Sequence, residues 1–170
     1  FSYDKKKIER VNYLKNQAVS YEKEYWHDEI GYNYRMTNIC AAIGLSQLEV
    51  ASQFITKKNQ IAGWYKYHLS NLPITFQKES KNSFHSFWMV TILVNDDSQR
   101  NKLRLHLSKF NIETRPIFFP ANIMKPHATN EDFKVANYIS RRGINLPSFP
   151  ELEEEDIKII CNVIKDFFKK

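Results

Sequence analysis

With 170 residues, 42% hydrophobic and 26% charged, the chain is long enough to bury a core and has the composition of an ordinary soluble domain. Its basic side chains outnumber the acidic ones by 25 to 19, a formal charge of +6. That favours anionic partners such as phosphates, sugar nucleotides or nucleic acid without selecting among them. The two cysteines, Cys40 and Cys161, lie in apolar helix patterns, which argues against a disulfide framework and predicts two buried thiols. No Cys and His spacing is of the metal-binding kind, and no unbroken apolar run reaches the roughly 18 residues a membrane span needs. With no signal-peptide pattern at its start, a soluble cytoplasmic protein is the expectation. The chain opens on Phe1 with a helical pattern already under way, which predicts a piece of a longer polypeptide.

Ile8, Val11 and Leu14 recur at helical spacing behind Asp4, with Lys5, Lys6, Lys7 and Arg10 as a solvated face. Residues 16–24 are polar and loop-like. Thr37 or Asn38 offers an N-cap for a helix of about 38–53. Its two apolar stripes (Ala41, Leu45, Leu48, Ala51 and Ile55; Ile39, Ile43, Val50 and Phe54) predict burial over most of its circumference. A second helix of about 55–69 carries Ile61, Tyr65 and Leu69 on one side and Lys57, Lys58 and Lys66 on the other, ending at Asn71-Leu72-Pro73. Ile74 to Gln77 suits a short strand. Phe84 to Val94, aromatic and β-branched on both alternations, predicts a strand covered on both faces.

After a turn at Asn95-Asp96-Asp97, Ser98 is placed to cap a helix with Leu103, Leu107 and Phe110 on one face. Pro116 and Pro120 force 112–119 to be extended. Residues 120–130 are irregular, 131–142 form a helix with Gly143 as C-cap, and 146–150 make a rigid connector. In the last helix Ile157, Ile160, Cys161, Ile164, Phe167 and Phe168 form one stripe. Its acids stand at the start and its lysines at the end, as the helix dipole favours. The order of elements predicts an α+β fold, a small antiparallel or mixed sheet flanked by helices.

The stretch from His27 to Asn38 is the densest in hydrogen-bonding side chains and contains one of only four glycines. No glycine-rich phosphate loop and no G-x-S-x-G elbow occurs, so the chain holds no self-contained catalytic signature. His68 and His106 suit helix surfaces and His85 a structural place. His27 and His127 fall in irregular segments, where structural and functional readings weigh evenly. Arg115, extended and flanked by a proline, could fork onto a carboxylate or phosphate, or pair with Glu113. Arg35 faces the same choice. Asn33, two residues from Gly31, can donate to an anion without adding charge.

The run Tyr25-Trp26-His27-x-Glu29-Ile30-Gly31-Tyr32-Asn33-Tyr34-Arg35-Met36-Thr37-Asn38, followed by Ala41-Ala42-Ile43-Gly44-Leu45-x-Gln47-Leu48-Glu49, resembles the DegT/StrS family of pyridoxal-phosphate-dependent sugar-nucleotide aminotransferases, nearest to its perosamine-synthase-like members. His85-Ser86-Phe87-Trp88, then Ile112-Glu113-Thr114-Arg115-Pro116-x-Phe118-Phe119-Pro120, then Gly143-Ile144-Asn145-Leu146-Pro147-Ser148 are similar to the same family in the same order. The resemblance implies a type I aminotransferase fold. Residues 1–36 would end the large-domain region and supply a loop that crosses to the partner of a homodimer; 37–170 would be the small C-terminal domain. The family's Schiff-base lysine, stacking aromatic and pyridine-nitrogen aspartate all lie upstream of the point Phe1 matches. No catalytic residue and no metal site is therefore expected here, and the chain alone should be inactive.

By the same resemblance Asn33 would bind the phosphate of pyridoxal 5'-phosphate, with Tyr32, Arg35, His27, Arg115 and Asn122 on the substrate side. Ala121-Asn122 departs from the Leu-His that many relatives carry after the proline, which bears on sugar specificity. The parent reaction would move an amino group from an amino acid, L-glutamate by expectation, to a keto-sugar nucleotide for polysaccharide or deoxyaminosugar biosynthesis. The alternatives are sugar-nucleotide dehydration on the same fold, or a non-catalytic binding module. A nucleic-acid binder is disfavoured, since aromatic and basic residues do not interleave as in a base-stacking platform.

Overall fold

Asp4 opens the first helix in the computed structural model, which describes residues 2–169. Its carboxylate accepts from the backbone amides of Lys6 and Lys7 at 3.0 and 3.4 Å, satisfying two of the donors that a helix start leaves free. Helix α1 spans Lys5–Leu14 and buries none of its residues. The chain divides into two compact units, Phe1–Val50 and Ala51–Lys170. In the first unit only Ala18 is buried among the described residues.

Helix α2 runs unbroken over Asn38–His68, where the sequence suggested two helices meeting near residue 54. No glycine or proline stands at that junction. The stripe through Ala51 and Ile55 continues in phase to Ala62, Tyr65 and Leu69, so one helix serves both halves. Thr37 is the cap, its hydroxyl accepting from the Cys40 amide at 3.2 Å. The second half buries Ile61, Ala62 and Tyr65. The first half does not follow the expectation of burial: Ile39 is 74% and Leu48 70% exposed. Cys40 is exposed with it, and only Cys161 is the buried thiol expected of both. Burial pushes the Cys161 thiol up to about 12.

One 18-residue window of α2 averages a hydropathy of 1.3, so by length and composition the helix could cross a membrane. Ser46, Gln47 and Glu49 interrupt the apolar run, so no unbroken stretch betrays it, yet the mean stays high.

The second unit is built on a four-stranded sheet in the order β1-β2-β4-β3. Strands β1 (Ile74–Phe76), β2 (Val90–Val94), β3 (Arg115–Pro116) and β4 (Gly143–Leu146) pair antiparallel throughout. Ile92 faces Ile144 across β2 and β4, and Arg115 faces Asn145 across β3 and β4. Helices α3 (Asp97–Ser108), α4 (Lys134–Arg142) and α5 (Glu154–Phe168) complete it. The core joins Ile61, Tyr65, Ile92, Leu103, Leu107, Ile144, Ile157 and Ile164, all fully buried. The arrangement is the α+β fold expected, with an antiparallel sheet.

Three local expectations fail for identifiable reasons. Residues 84–89 are not strand, because Phe87 takes a left-handed φ of 45° while donating its amide to His85 Nδ1 at 2.8 Å. Asp96, not Ser98, caps α3, its carboxylate accepting from the Ser98 amide at 2.7 Å. Strand β4 occupies residues read as the end of a helix and a connector. It is four residues long and includes a glycine and an asparagine, which obscures any strand pattern. The buried Asn145 is satisfied all the same: its Oδ1 accepts from Thr91 Oγ1 at 2.7 Å and its Nδ2 donates to the Pro116 carbonyl at 3.3 Å. Gly143 caps α4 in extended backbone, φ −83°. It must lack a side chain because a Cβ would stand 2.2 Å from Ile117 Cδ1 and 2.9 Å from the Ile139 carbonyl oxygen.

Asp96→Ala is expected to lower the melting temperature at neutral pH. Hydrogen bonds from Ser98 hold the Asp96 carboxyl below its usual range, so its stabilising contribution is complete above the ordinary aspartate value and is lost as pH falls through the depressed folded one. Melting curves of the two proteins should therefore converge in acid; a gap unchanged with pH would count against the cap.

Candidate functional site

In the first unit a backbone crossing sets the site. Segment 31–34 lies against 14–18, with the Tyr32 amide donating to the Leu14 carbonyl (3.0 Å), Gln17 to Tyr32 (3.2 Å) and Tyr34 to Lys15 (3.0 Å). The approach is so close that a Cβ on Gly31 would fall 2.4 Å from the Ala18 nitrogen and 2.5 Å from the Gln17 carbonyl carbon. Gln17 and Ala18 pass through left-handed φ values of 64° and 51° to make the turn beneath it. The loop is also clamped from α1. Arg10 forks onto both carboxylate oxygens of Glu29 and holds its carboxyl below the usual range, and the Tyr13 hydroxyl donates to Asp28 at 3.2 Å.

Four of the residues expected at a site lie on this loop. His27 Nδ1 lies 2.8 Å from the Gln17 carbonyl, so the neutral ring donates there and leaves Nε2 as an acceptor. The Arg35 guanidinium donates to Asn16 Oδ1 at 3.2 Å. The rings of Tyr32 and Tyr34 stack with centroids 5.5 Å apart. Asn33 is exposed and its main chain bridges to Asn16, while its side-chain amide makes no hydrogen bond among the described residues.

In the second unit Arg115 borders a cavity of about 650 Å³ together with Lys58, Trp88, Glu113, Ser148 and Phe149. Its Nε lies 3.4 Å from Glu113 Oε1, with the two side chains 75% and 80% exposed. Lys58 does not belong to the solvated side to which the helical pattern assigned it. It is partly buried, donates to both the carbonyl and the hydroxyl (3.0 Å) of Ser148, and has its pKa lowered by burial. Its spacing of three and four residues from Ile61 and Ala62 was the available signal. Asn122 lies apart from this cavity. Its Nδ2 donates to the Glu131 carbonyl at 3.2 Å and its own carbonyl accepts from Thr129 at 3.1 Å, closing the irregular segment. His127 stands exposed on the same segment.

The profile of the DegT/DnrJ/EryC1/StrS aminotransferase family matches residues 1–165. GDP-perosamine synthase of Escherichia coli O157:H7 is 46% identical over 166 residues, covering 97% of this chain and 45% of the relative. GDP-perosamine synthase of Vibrio cholerae is 43% identical, covering 95% of this chain and 45% of the relative. The chain thus spans somewhat less than half the length of these curated relatives. The crystal structure of the aminotransferase TlmJ from Streptoalloteichus hindustanus shares the fold, with a TM-score of 0.88 at 17% identity over 98% of this chain and 46% of that one.

Gly31→Ala should open the crossing, because the atoms its Cβ meets are backbone and cannot swing aside. Amide hydrogen exchange is the measurement: Tyr32, Tyr34 and Gln17 should lose protection while the β2 and β4 amides keep theirs. Unchanged protection at Tyr32 would contradict the assigned close approach.

Proposed function

The chain belongs to the DegT/DnrJ/EryC1/StrS aminotransferase family, and on that premise we propose that it is the C-terminal portion of a pyridoxal-phosphate-dependent enzyme that moves an amino group from an amino acid, L-glutamate by expectation, onto a keto-sugar nucleotide for polysaccharide biosynthesis. The observation that carries this reading is the family match along nearly the whole chain, with 46% identity to a GDP-perosamine synthase. Residues 1–36 then end the large domain and supply the site loop, and 37–170 form the small domain. A cytoplasmic homodimer in which each loop serves the partner's cofactor is part of the proposal.

The free amide of Asn33 fits a phosphate oxygen, being exposed, uncharged and carried on a loop whose backbone is pinned on both sides. Pyridoxal phosphate, when bound, supplies the electron sink for amino transfer. Asn33 orients the phosphate. Arg35 and Tyr32 offer a cation and a hydroxyl to an anionic substrate, and His27, held at Nδ1 by the Gln17 carbonyl, is carried on the same loop. In the small domain Arg115 offers an exposed guanidinium, and Asn122 holds the shape of the segment that follows it. The exposed apolar half of α2 suits a face covered by the remainder of the enzyme in place of lipid, since the curated relatives are more than twice as long.

Full-length enzyme with pyridoxal phosphate, amino donors and keto-sugar nucleotides is expected to transfer the amino group; no transfer from any donor would sink the proposal. Asn33→Ala is expected to weaken cofactor binding roughly tenfold to a hundredfold, the equivalent of one hydrogen bond to a charged group.

The 170-residue chain by itself is expected to bind pyridoxal phosphate weakly, with none of its lysines fixed to the cofactor by borohydride. Lys58, whose pKa burial lowers, is held against Ser148. A stable adduct at any lysine in the mass spectrum would overturn that expectation.

A further inference from the structure

Helix α1 buries none of its residues, yet it meets the site loop along its second half. Arg10 takes both carboxylate oxygens of Glu29, and Tyr13, one turn on, donates to Asp28 at 3.2 Å. At the end of the helix the carbonyls of Leu14 and Lys15 accept from the amides of Tyr32 and Tyr34, each at 3.0 Å. Those two bonds lie on either side of Asn33, so its backbone is bracketed. With only Ala18 buried among the described residues of this unit, the helix serves there as a splint for the loop.

Two backbone bonds so close together fix where Asn33 stands but leave the approach of residues 28–31 to contacts further back. The fork is the strongest of these. A surface ion pair contributes little as a rule, but two parallel bonds from a planar guanidinium to one carboxylate are the geometry that does hold a segment. The Arg10 guanidinium also lies 5.8 Å from the centre of the Tyr13 ring, so the two anchoring side chains, three residues apart on one helix face, support each other. Charge gives the fork a second effect. Glu29 stands two residues before Gly31 and four before Asn33, and a bare carboxylate on this loop would repel the phosphate that the Asn33 amide is to meet. Arg10 cancels that charge in place.

We propose that Arg10 and Glu29 are positioning residues for the cofactor: their fork aims the loop so that the Asn33 amide meets the phosphate, and it keeps the Glu29 charge from opposing that contact. Both side chains are spent on each other, so they act through the loop and not by touching the cofactor. The proposal rests on the reading of Asn33 above and deepens it.

Full-length enzyme freed of cofactor is titrated with pyridoxal phosphate and, in parallel, with pyridoxal, which lacks the phosphate. Arg10→Met is expected to weaken pyridoxal phosphate about fivefold to tenfold and to leave pyridoxal unchanged. Glu29→Gln opens the fork without baring a charge and should lose less. Exchanging the pair, Arg10→Glu together with Glu29→Arg, should regain most of the affinity that Arg10→Glu alone loses. Should Arg10→Glu fail to fold, the graded losses of the other two single variants decide. Variants that bind pyridoxal phosphate as the parent does, equal losses for pyridoxal, or no recovery in the exchanged pair would overturn the proposal. The two readings fail differently. A parent enzyme whose preference for pyridoxal phosphate over pyridoxal survives Asn33→Ala unchanged loses the Asn33 reading and the fork with it. One whose preference depends on Asn33 while the fork variants match it loses only the fork.

Discussion

Two places where the chain packs too closely on a glycine for a side chain, against backbone at Gly31 and chiefly against the Ile117 side chain at Gly143, govern where the candidate site residues stand. At Gly31 the missing Cβ lets 31–34 lie on 14–18, and the hydrogen bonds of Tyr32 and Tyr34 follow from that contact. At Gly143 it lets Ile117 pass over the start of β4, and this brings the segment after Arg115 against the sheet. Neither glycine has a positive φ. Both are required for space, not for conformational freedom, so any other residue acts by prising two segments apart.

Around the first crossing stability comes from polar contacts and not from a core. The unit 1–50 has almost no buried apolar surface of its own, so the Arg10–Glu29 fork, the Tyr13–Asp28 bond and the Asn16 contacts do most of the ordering. The unit 51–170 is the opposite case, an apolar core closed by α3, α5 and the second half of α2 over an antiparallel sheet. Such cores gain of order 25 cal/mol per Å² of apolar area removed from water, a gain the first unit largely lacks by itself. Helix α2 carries this difference within one element, exposed along its first half and buried in its second.

The legible parts of the sequence are those whose physics is local. The stripe of α5, the capping role of Thr37, the end of α1 and the extended prolines at 116 and 120 could all be read because periodicity, a short side-chain oxygen or a fixed φ acts within a few residues. Strand β4 could not, since Gly143 and Asn145 weaken its pattern and its place depends on partners over fifty residues away in β2. The single course of α2 was hidden because the pattern changes near residue 54, from two apolar stripes to one apolar side opposite lysines, which read as a second helix. The exposure of Ile39 and Cys40 was hidden because an apolar face predicts that something covers it, not what. At the candidate site Asn33 and Arg115 stood out by residue type and context, whereas the clamp from Arg10 and the inward turn of Lys58 needed the third dimension.

Charge then separates the residues that hold the fold from those able to meet a ligand. Much of the basic excess is already spent within the chain: Lys57 on Glu153, Arg141 and Arg142 on Asp97, and Lys158 on Glu154 and Glu155. Arg142 is the extreme, only 26% exposed, paired with Asp97 and lying over the Tyr138 ring, with its pKa raised by those contacts. Removing it would leave Asp97 to the more exposed Arg141 alone. Arg115 is the reverse, a guanidinium 75% exposed that pairs with a Glu113 as open as itself, and exposed pairs are worth no more than about 1 kcal/mol. Two arginines close to the same sheet thus differ in what it costs to reassign them. That difference, more than net charge, leaves Arg115 the guanidinium of the two that is free to change partners.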